Sequence, residues 1–477
     1  MGIRINKTLL ICIVSFLVSS LSYGQSLQQG RAAIASKDFE KAKEIFSRII
    51  RQQPGNASVN TWYGQACYET GDYALALKHL TTAANRKVVN GYFYLAKTQI
   101  ELYLFEDAIA NFELFLEKSK DKEMITEAET QKTRAQRAAS MLRGVENVEI
   151  IDSIVVDKAS FLSHYKISEE AGTIYRFQDF FKEQNGGSTA TVFENQRKDK
   201  IIYSSPAQGR GYDLFTQVKL MDKFSDAKPL PEVINSEFDE NYPFIMPDGA
   251  TIYYATNNPE ESIGGYDIMI TRYSTSTDGY LTPDNVGMPF NSLANDYMMV
   301  IDDSNGVGWF ASDRNQPEDQ VCIYLFIPNS EKRVIETESK EERIILASLS
   351  GIKSTQKRAD YSDILKEIAN SSNKEEIVEA DFDFVISDLL VYHFRDEFVS
   401  PQAKTLFDRY TNAKAKLNSQ KKELEALRGE FDKSTQAKRQ TIAPTILALE
   451  QSIPELINQV EQLEIECRNT ETKQLRK

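Results

Sequence analysis

Phe39-Glu40-Lys41-Ala42-Lys43-Glu44-Ile45-Phe46 sets a pattern that returns twice, as Tyr73-x2-Ala76-x3-Leu80 and as Phe105-x2-Ala108-x3-Phe112. Its small residue recurs after 34 residues between Ala42 and Ala76, and after 32 between Ala76 and Ala108. Another small residue stands 12 positions upstream each time, at Gly30, Gly64 and Ala96. Steps of three and four place these side chains on one face of a helix. A glycine or alanine there lets two helices cross closely, and the large residues fill the groove beside the crossing. Lys37-Asp38 and Gly71-Asp72 mark turns inside helix pairs, and Pro54 marks the stop after the first pair.

A period of 34 with aromatic, small and large residues in this order resembles the tetratricopeptide family. The resemblance implies an α-solenoid whose concave face holds peptides or partner proteins; a spacer or a dimerisation surface is the other use of such an array. The third unit departs from the pattern, being two residues short and carrying Ala96 in place of glycine. Lys122 to Arg143 predicts one more helix, capping the last apolar face. Residues 25–144 are thus read as three repeats plus a capping helix.

After Gly144 the texture changes to short β-branched and aromatic runs, punctuated by Asp-Gly and Asn-Gly turns. One unit runs Asp239-Glu240-Asn241-Tyr242, Pro247-Asp248-Gly249, Thr251 to Thr256, then Gly265-Tyr266-Asp267. Parts of it recur as Gly211-Tyr212-Asp213, and as Asn295-Asp296-Tyr297 with Gly308 to Asp313. Gly211 to Gly265 is 54 residues and Tyr254 to Phe310 is 56. Periods near 50 with about four strands are those of propeller blades. Pro247-Asp248-Gly249 before an aromatic strand resembles the TolB-type β-propeller, which assigns residues 145–335 to a propeller of open blade count. The Asp-rich turns are first of all turn chemistry. Asp303, Asn305 and Gly308 imitate the start of a calcium loop, but Arg314 stands where the closing carboxylate is needed.

Residues 336–398 predict two helices, Thr337 to Ser348 and Tyr361 to Ala369, then two short strands within Phe382 to His393. Those strands are expected to return to the propeller and cover a blade edge. Residues 399–477 carry two heptad seams, Leu406 to Phe431 and Ile446 to Cys467, joined by a polar turn within Asp432 to Thr441. An antiparallel helical hairpin is the leading arrangement; pairing between two chains is the alternative. Pro444 suits a helix start, and Pro454 predicts a kink.

Residues 1–24 read as a signal peptide: Arg4 and Lys7, an apolar core from Leu9 to Val18, and Ser22-Tyr23-Gly24 ahead of cleavage before Gln25. An uncleaved anchor is the alternative. No later apolar run is long enough to span a bilayer. The net charge of −14 disfavours nucleic acid as a partner. Cys67, Cys322 and Cys467 fall in different segments, with neither disulfide nor metal spacing. His79, His164 and His393 are equally scattered, and no nucleophile elbow is visible. The reading is therefore a chain without catalytic residues, cofactor or metal.

The order of signal peptide, helical repeats, propeller and helical tail resembles a group of envelope proteins of Bacteroidetes, here without an OmpA-type domain. Asp152-Ser153-Ile154 resembles the O-glycosylation tripeptide of that phylum. The resemblance implies an exported scaffold of the periplasm or outer membrane. It would hold other envelope proteins through the repeats and a propeller face, and self-associate through residues 399–477. The alternative is a peptide or glycan sensor using the propeller channel; a hydrolase ranks last.

Overall fold

The computed structural model describes residues 25–182, 189–207, 210–221, 223–358, 360–371, 382, 384–387, 390–392, 395–433 and 435–475. The expected signal peptide and Cys12 lie outside the described residues, as does His393. The chain divides into two compact units, Met1–Lys374 and Glu375–Lys477.

The first unit opens with seven helices: α1 (25–35), α2 (Phe39–Gln52), α3 (Ala57–Glu69), α4 (Tyr73–Asn85), α5 (Val89–Glu101), α6 (Phe105–Lys118) and α7 (Lys122–Arg143). Their starts are written locally. Asp38 accepts from Lys41 N, Asn56 from Val59 N, and Asp121 from Glu123 N and Met124 N. Gly71 takes φ +75°, the left-handed turn that ends α3. The repeating positions form the core: Ala42, Phe46, Ala76, Leu80, Ala108 and Phe112 are wholly buried.

Strand β1 (Glu149–Asp157) follows, and then three antiparallel sheets. The first holds β2 (Thr173–Arg176), β3 (Thr191–Glu194), β4 (Lys200–Pro206) and β5 (Tyr212–Leu220), with β6 (Lys223–Phe224) and β7 (Lys228–Pro229) on β5. Between β2 and β3 lies a one-turn helix, α8 (Phe177–Phe180). The second sheet holds β8 (Glu240–Ile245), β9 (Thr251–Thr256) and β10 (Asp267–Ser274), with β11 (Gly279–Tyr280) and β12 (Asp284–Asn285) on β10. The third holds β13 (Asp296–Asp302), β14 (Val307–Ser312) and β15 (Gln320–Ile327), and β1 pairs with β15 along its outer side.

The sheets pack through aromatic residues. Phe193 of the first meets Phe244 of the second edge-on at 4.9 Å, and Tyr242 of the second meets Tyr297 of the third at 5.2 Å. Phe161 lies against both tyrosines, and the buried Tyr165 hydroxyl donates to Met298 O at 2.6 Å. The remaining faces of the first and third sheets are covered as well. Phe177 and Phe181 pack on Tyr203 of the first. On the third, Thr355 Oγ1 accepts from Ile150 N, and the Tyr361 hydroxyl donates to Glu149. Helices α9 (Lys340–Ser348) and α10 (Ser362–Ser371) flank these contacts.

Helix α7 ties the repeats to the sheets. Arg137 donates to Ser262 O at 2.7 Å and Pro259 O at 3.0 Å, and Arg134 to Ile263 O and Leu293 O. Ile263, Met288 and Ala347 are buried in the core of the helical repeats. The sheets thus complete an apolar end that α7 alone would leave open.

In the second unit, β16 (Phe384–Ser387) and β17 (Leu390–Tyr392) pair with each other. Within this unit each is the other's strand partner, whereas the sequence reading looks to a blade edge. Phe384 and Tyr392 instead bury their rings against Phe398, Phe407 and Tyr410, so the strands' apolar face is satisfied by helical partners within the unit. Helix α11 (Pro401–Lys433) runs into α12 (Gln436–Leu475), and both prolines lie inside α12. Pro444 is therefore not a helix start. Arg439 donates to Phe431 O at 2.9 Å across the turn, fixing the helix start ahead of the proline. Leu406, Tyr410, Leu417 and Leu424 bury against Leu449, Ile453, Leu456, Val460, Leu463 and Cys467, so one chain fills its own seam.

Glu471, wholly buried, closes this unit. It accepts from Val399 N at 2.7 Å, Ser400 N at 3.0 Å and the Tyr392 hydroxyl at 2.9 Å. The end of α12 thereby caps the start of α11. Glu471→Ala leaves the Tyr392 hydroxyl and Ser400 N buried and unpaired and removes the partner of Val399 N, so a loss of about 2–3 kcal/mol in the second unit is expected. Amide hydrogen exchange along α11 measures it; unchanged protection there would refute it. Among the described residues, no helix is long and apolar enough to cross a membrane.

Candidate functional site

Helices α3, α5 and α7 lie side by side and form one layer of the repeat array, each joined along the chain to α2, α4 and α6 in turn. Stacked repeats of this kind present an extended concave surface. A polar and aromatic stripe crosses this layer. Arg31 stands over the Trp62 ring at 5.3 Å. Gln65 Nε2 donates to the Tyr94 hydroxyl at 2.7 Å, and the Tyr68 and Tyr94 rings are 6.2 Å apart. Lys97 Nζ lies 5.1 Å from the Tyr68 ring and 5.3 Å from that of Phe93, and pairs with Glu127 at 2.7 Å. Beyond it Glu101 is half-buried; burial raises its pKa, while Arg134 and Lys97 pull it back. Burial also pushes the Tyr94 hydroxyl up to about 12.

The stripe offers flat aromatic faces with a cation held above them and amide and carboxylate groups alongside. Such surfaces take extended peptide by ring contacts and directed hydrogen bonds. Arg134 is already committed to Ile263 O and Leu293 O, so the stripe ends where the loops before β10 and β13 begin. Between α2, α3 and α4 a cavity of about 330 Å³ is lined by residues including Arg51, Asn60, Lys78 and His79. Its histidine bonds Asn60 at 2.8 Å, and burial and then Lys78 lower its pKa.

Residues 33–100 match the tetratricopeptide-repeat family. This part of the chain is a tetratricopeptide array. Solved structures similar to it include the first such domain of Spaghetti (RPAP3) bound to an HSP90 peptide, at 17% identity and TM-score 0.23, over 29% of this chain and 99% of that one. The Sgt2 domain from Aspergillus fumigatus shows 18% identity and TM-score 0.23, over 25% and 82%. The TPR2B domain of yeast Sti1, in its pHsp70 complex, shows 16% identity and TM-score 0.23, over 26% and 99%. No curated protein sequence matches the chain.

The structure gives the glycines and alanines singled out in the sequence a packing role. A Cβ on Gly30 would lie 2.7 Å from the Phe46 ring, so the upstream helix of the pair presses directly on its partner. In the sheets, Pro247-Asp248-Gly249 is a hairpin turn. Asp248 accepts from Ala250 N, Thr251 N and Thr251 Oγ1 at 2.7–2.8 Å, and Gly249 takes φ +70°.

Gly265-Tyr266-Asp267 is a latch. Tyr266 N donates to Asn295 Oδ1 at 3.0 Å, and a Cβ on Gly265 would strike that oxygen at 2.0 Å. Asp267 accepts from Ile263 N, Gly264 N and Asn285 Nδ2, and burial pushes its carboxyl up to about 7. Asp313 accepts from Asn295 N, Asn295 Nδ2, the Tyr297 hydroxyl and Lys158 Nζ.

Sequence reasoning missed the partners of these groups. Asn235-Ser236 and Asn291-Ser292 stand 56 residues apart. Each asparagine bonds the backbone of the preceding sheet strand, at Leu214 and Ile268. Each serine donates, through N and Oγ, to a buried carboxylate four residues on, Glu240 or Asp296. The repeated Asn-Ser pair at this 56-residue spacing is the signal that would have revealed them.

Arg314 is spent inside on Asp296, Pro289 O and Phe290 O, and Asp302 accepts from Ser168 and Asn305. Among the described residues no group of three acidic, histidine or cysteine side chains is placed to hold a metal. Cys67, Cys322 and Cys467 are free and buried, and burial pushes the Cys67 and Cys467 thiols up to about 12. Asp152-Ser153-Ile154 is exposed on β1, with Ser153 N donating to Asp152.

Proposed function

We propose that the protein is a non-catalytic binding scaffold of the cell envelope. Its helical repeats hold a segment of one partner along the Tyr68–Tyr94–Lys97 stripe. The observation that carries this reading is that stripe, set on an array that matches the tetratricopeptide family. The three sheets are read as blades of a TolB-like propeller, supported by the 56-residue recurrence of the Asn-Ser-carboxylate latch and by the Pro-Asp-Gly hairpin. They present a second face for partners. Phe161 and Tyr165 fill the space between the sheets, which favours binding on outer faces over binding in a central channel. Export through residues 1–24, with cleavage before Gln25, places this scaffold in the periplasm or at the outer membrane. Self-association through residues 399–477 would use what the hairpin leaves exposed, including Leu447 and Ile465.

Exchanging Lys97 and Glu127, as Lys97→Glu with Glu127→Lys, keeps the ion pair but moves the cation off the rings. Partners recovered by cross-linking in the native envelope should fall about tenfold, while the melting temperature shifts little. Full partner recovery with the exchanged pair would sink the stripe as the binding surface.

A further inference from the structure

A cavity of about 890 Å³ lies between the second and third sheets, away from the helical stripe. Its floor is apolar: Met246, Tyr253 and Ile270 from the second sheet face Met299, Ile301 and Phe326 from the third. The loop from Pro328 to Lys332 closes one side, anchored by Asn329 Nδ2 on Glu146 at 2.9 Å and on Asn147 O at 3.0 Å. A cavity of about 300–1,000 Å³ with an apolar floor and a few polar groups is the form of a small-molecule site.

The rim has one sign. Glu146, Asp284, Asp303 and Glu331 line it against a single base, Lys332. The Lys332 ammonium donates to Val286 O at 3.2 Å. Among the described residues no side-chain hydrogen bond or ion pair engages Asp284, Asp303 or Glu331, and all three are exposed. Part of the rim's field reaches the floor: burial, then Glu146 and Asp303, with Asp248 outside the cleft, push the Tyr253 hydroxyl up to about 12. A low-dielectric floor beneath like charges focuses an attractive potential on a cation.

We propose that this cleft binds a small amphipathic cation, an apolar or aromatic body carrying one amine or guanidinium group. The body lies between Tyr253, Met299 and Phe326, and the charge sits between Asp303 and Glu331. An acidic or neutral ligand of the same shape gains the floor but not the rim. The site is independent of the scaffold reading, since it touches none of the stripe residues.

The test uses the full chain and two fluorescent probes: a dansyl group on a five-carbon amine, and the same group on a five-carbon carboxylate. The amine should bind saturably, at least tenfold more tightly than the carboxylate, and more weakly as salt rises. Asp303→Asn with Glu331→Gln should weaken it tenfold or more. Met246→Lys, which places an ammonium over the floor, should abolish binding. Circular dichroism and melting curves establish that the variants fold. Equal binding of both probes, no saturable binding of either, or amine binding untouched by the variants overturns the proposal. So does a short Phe-Lys peptide binding more than tenfold tighter than the amine, which would make the occupant a protein segment.

Discussion

Arg314→Met is expected to destabilise the first unit by about 3–5 kcal/mol, because it strips a buried carboxylate of its counter-charge. Arg314 is 4% exposed and Asp296 is not exposed at all. The guanidinium donates to Asp296 Oδ1 at 2.6 Å, to Pro289 O and Phe290 O at 2.7 Å, and to Ser312 Oγ at 2.8 Å. Its plane lies against Phe310 and Tyr324, at 5.8 and 5.9 Å from the two ring centres. Asp296 resists ionisation in this setting: burial raises its pKa, and Arg314 is the main opposing influence. Methionine fills much of the volume but leaves the two carbonyls and Asp296 Oδ1 without the arginine's donors, while Ser292 still holds Oδ2. Adding Asp296→Asn removes the stranded charge and should recover a substantial part of the loss. Urea denaturation of the two single variants and the double variant measures the coupling. A loss below about 1 kcal/mol for Arg314→Met would show that the pair does not hold the third sheet.

This arginine also marks where the sequence stops being legible. Read along the chain it is only the wrong residue to close a calcium loop, because nothing nearby in sequence names its partner. Asp296 is 18 residues away, and Pro289 O belongs to the loop before β13. Helical repeats read well for the opposite reason. Their contacts recur at one spacing, so Ala42, Ala76 and Ala108 announce a shared environment without any long-range knowledge. The Pro-Asp-Gly turn is equally local, since Asp248 bonds residues two and three positions on. The latches are half legible: Gly265-Tyr266-Asp267 stands out, but the oxygen that forces glycine at 265 belongs to Asn295. The strands of 384–392 are recognisable, yet their partner is not, because alternation marks an apolar face without saying what covers it. The acidic cleft leaves no sequence signal at all, as its lining gathers from residues as far apart as Glu146 and Lys332.

At Gly64 two effects of opposite sign compete, and packing should win. In an exposed helix, replacing glycine gains about 0.5–1 kcal/mol through the unfolded chain. Gly429 in α11 is such a place: an alanine Cβ there would meet no heavy atom within 4 Å, so Gly429→Ala should gain that much. At Gly64 the same Cβ would lie 2.4 Å from Leu80 Cγ and 2.8 Å from its Cδ2. Leu80 is wholly buried, and Tyr63, Ala66, Cys67, Ala76 and Ala84 belong to the same close-packed core. Helices α3 and α4 must separate, or Leu80 must leave its rotamer. Gly64→Val adds two further methyl groups at the crossing, so a net loss of about 2–3 kcal/mol is expected. Leu80→Ala alone should cost about 2–5 kcal/mol through the cavity it opens. If the two helices touch as described, the double variant is markedly more stable than the sum of the single losses, because the valine fills the space the leucine vacates. Strict additivity in thermal unfolding would mean that Gly64 and Leu80 do not share the crossing, and the helical array would have to be held by other contacts.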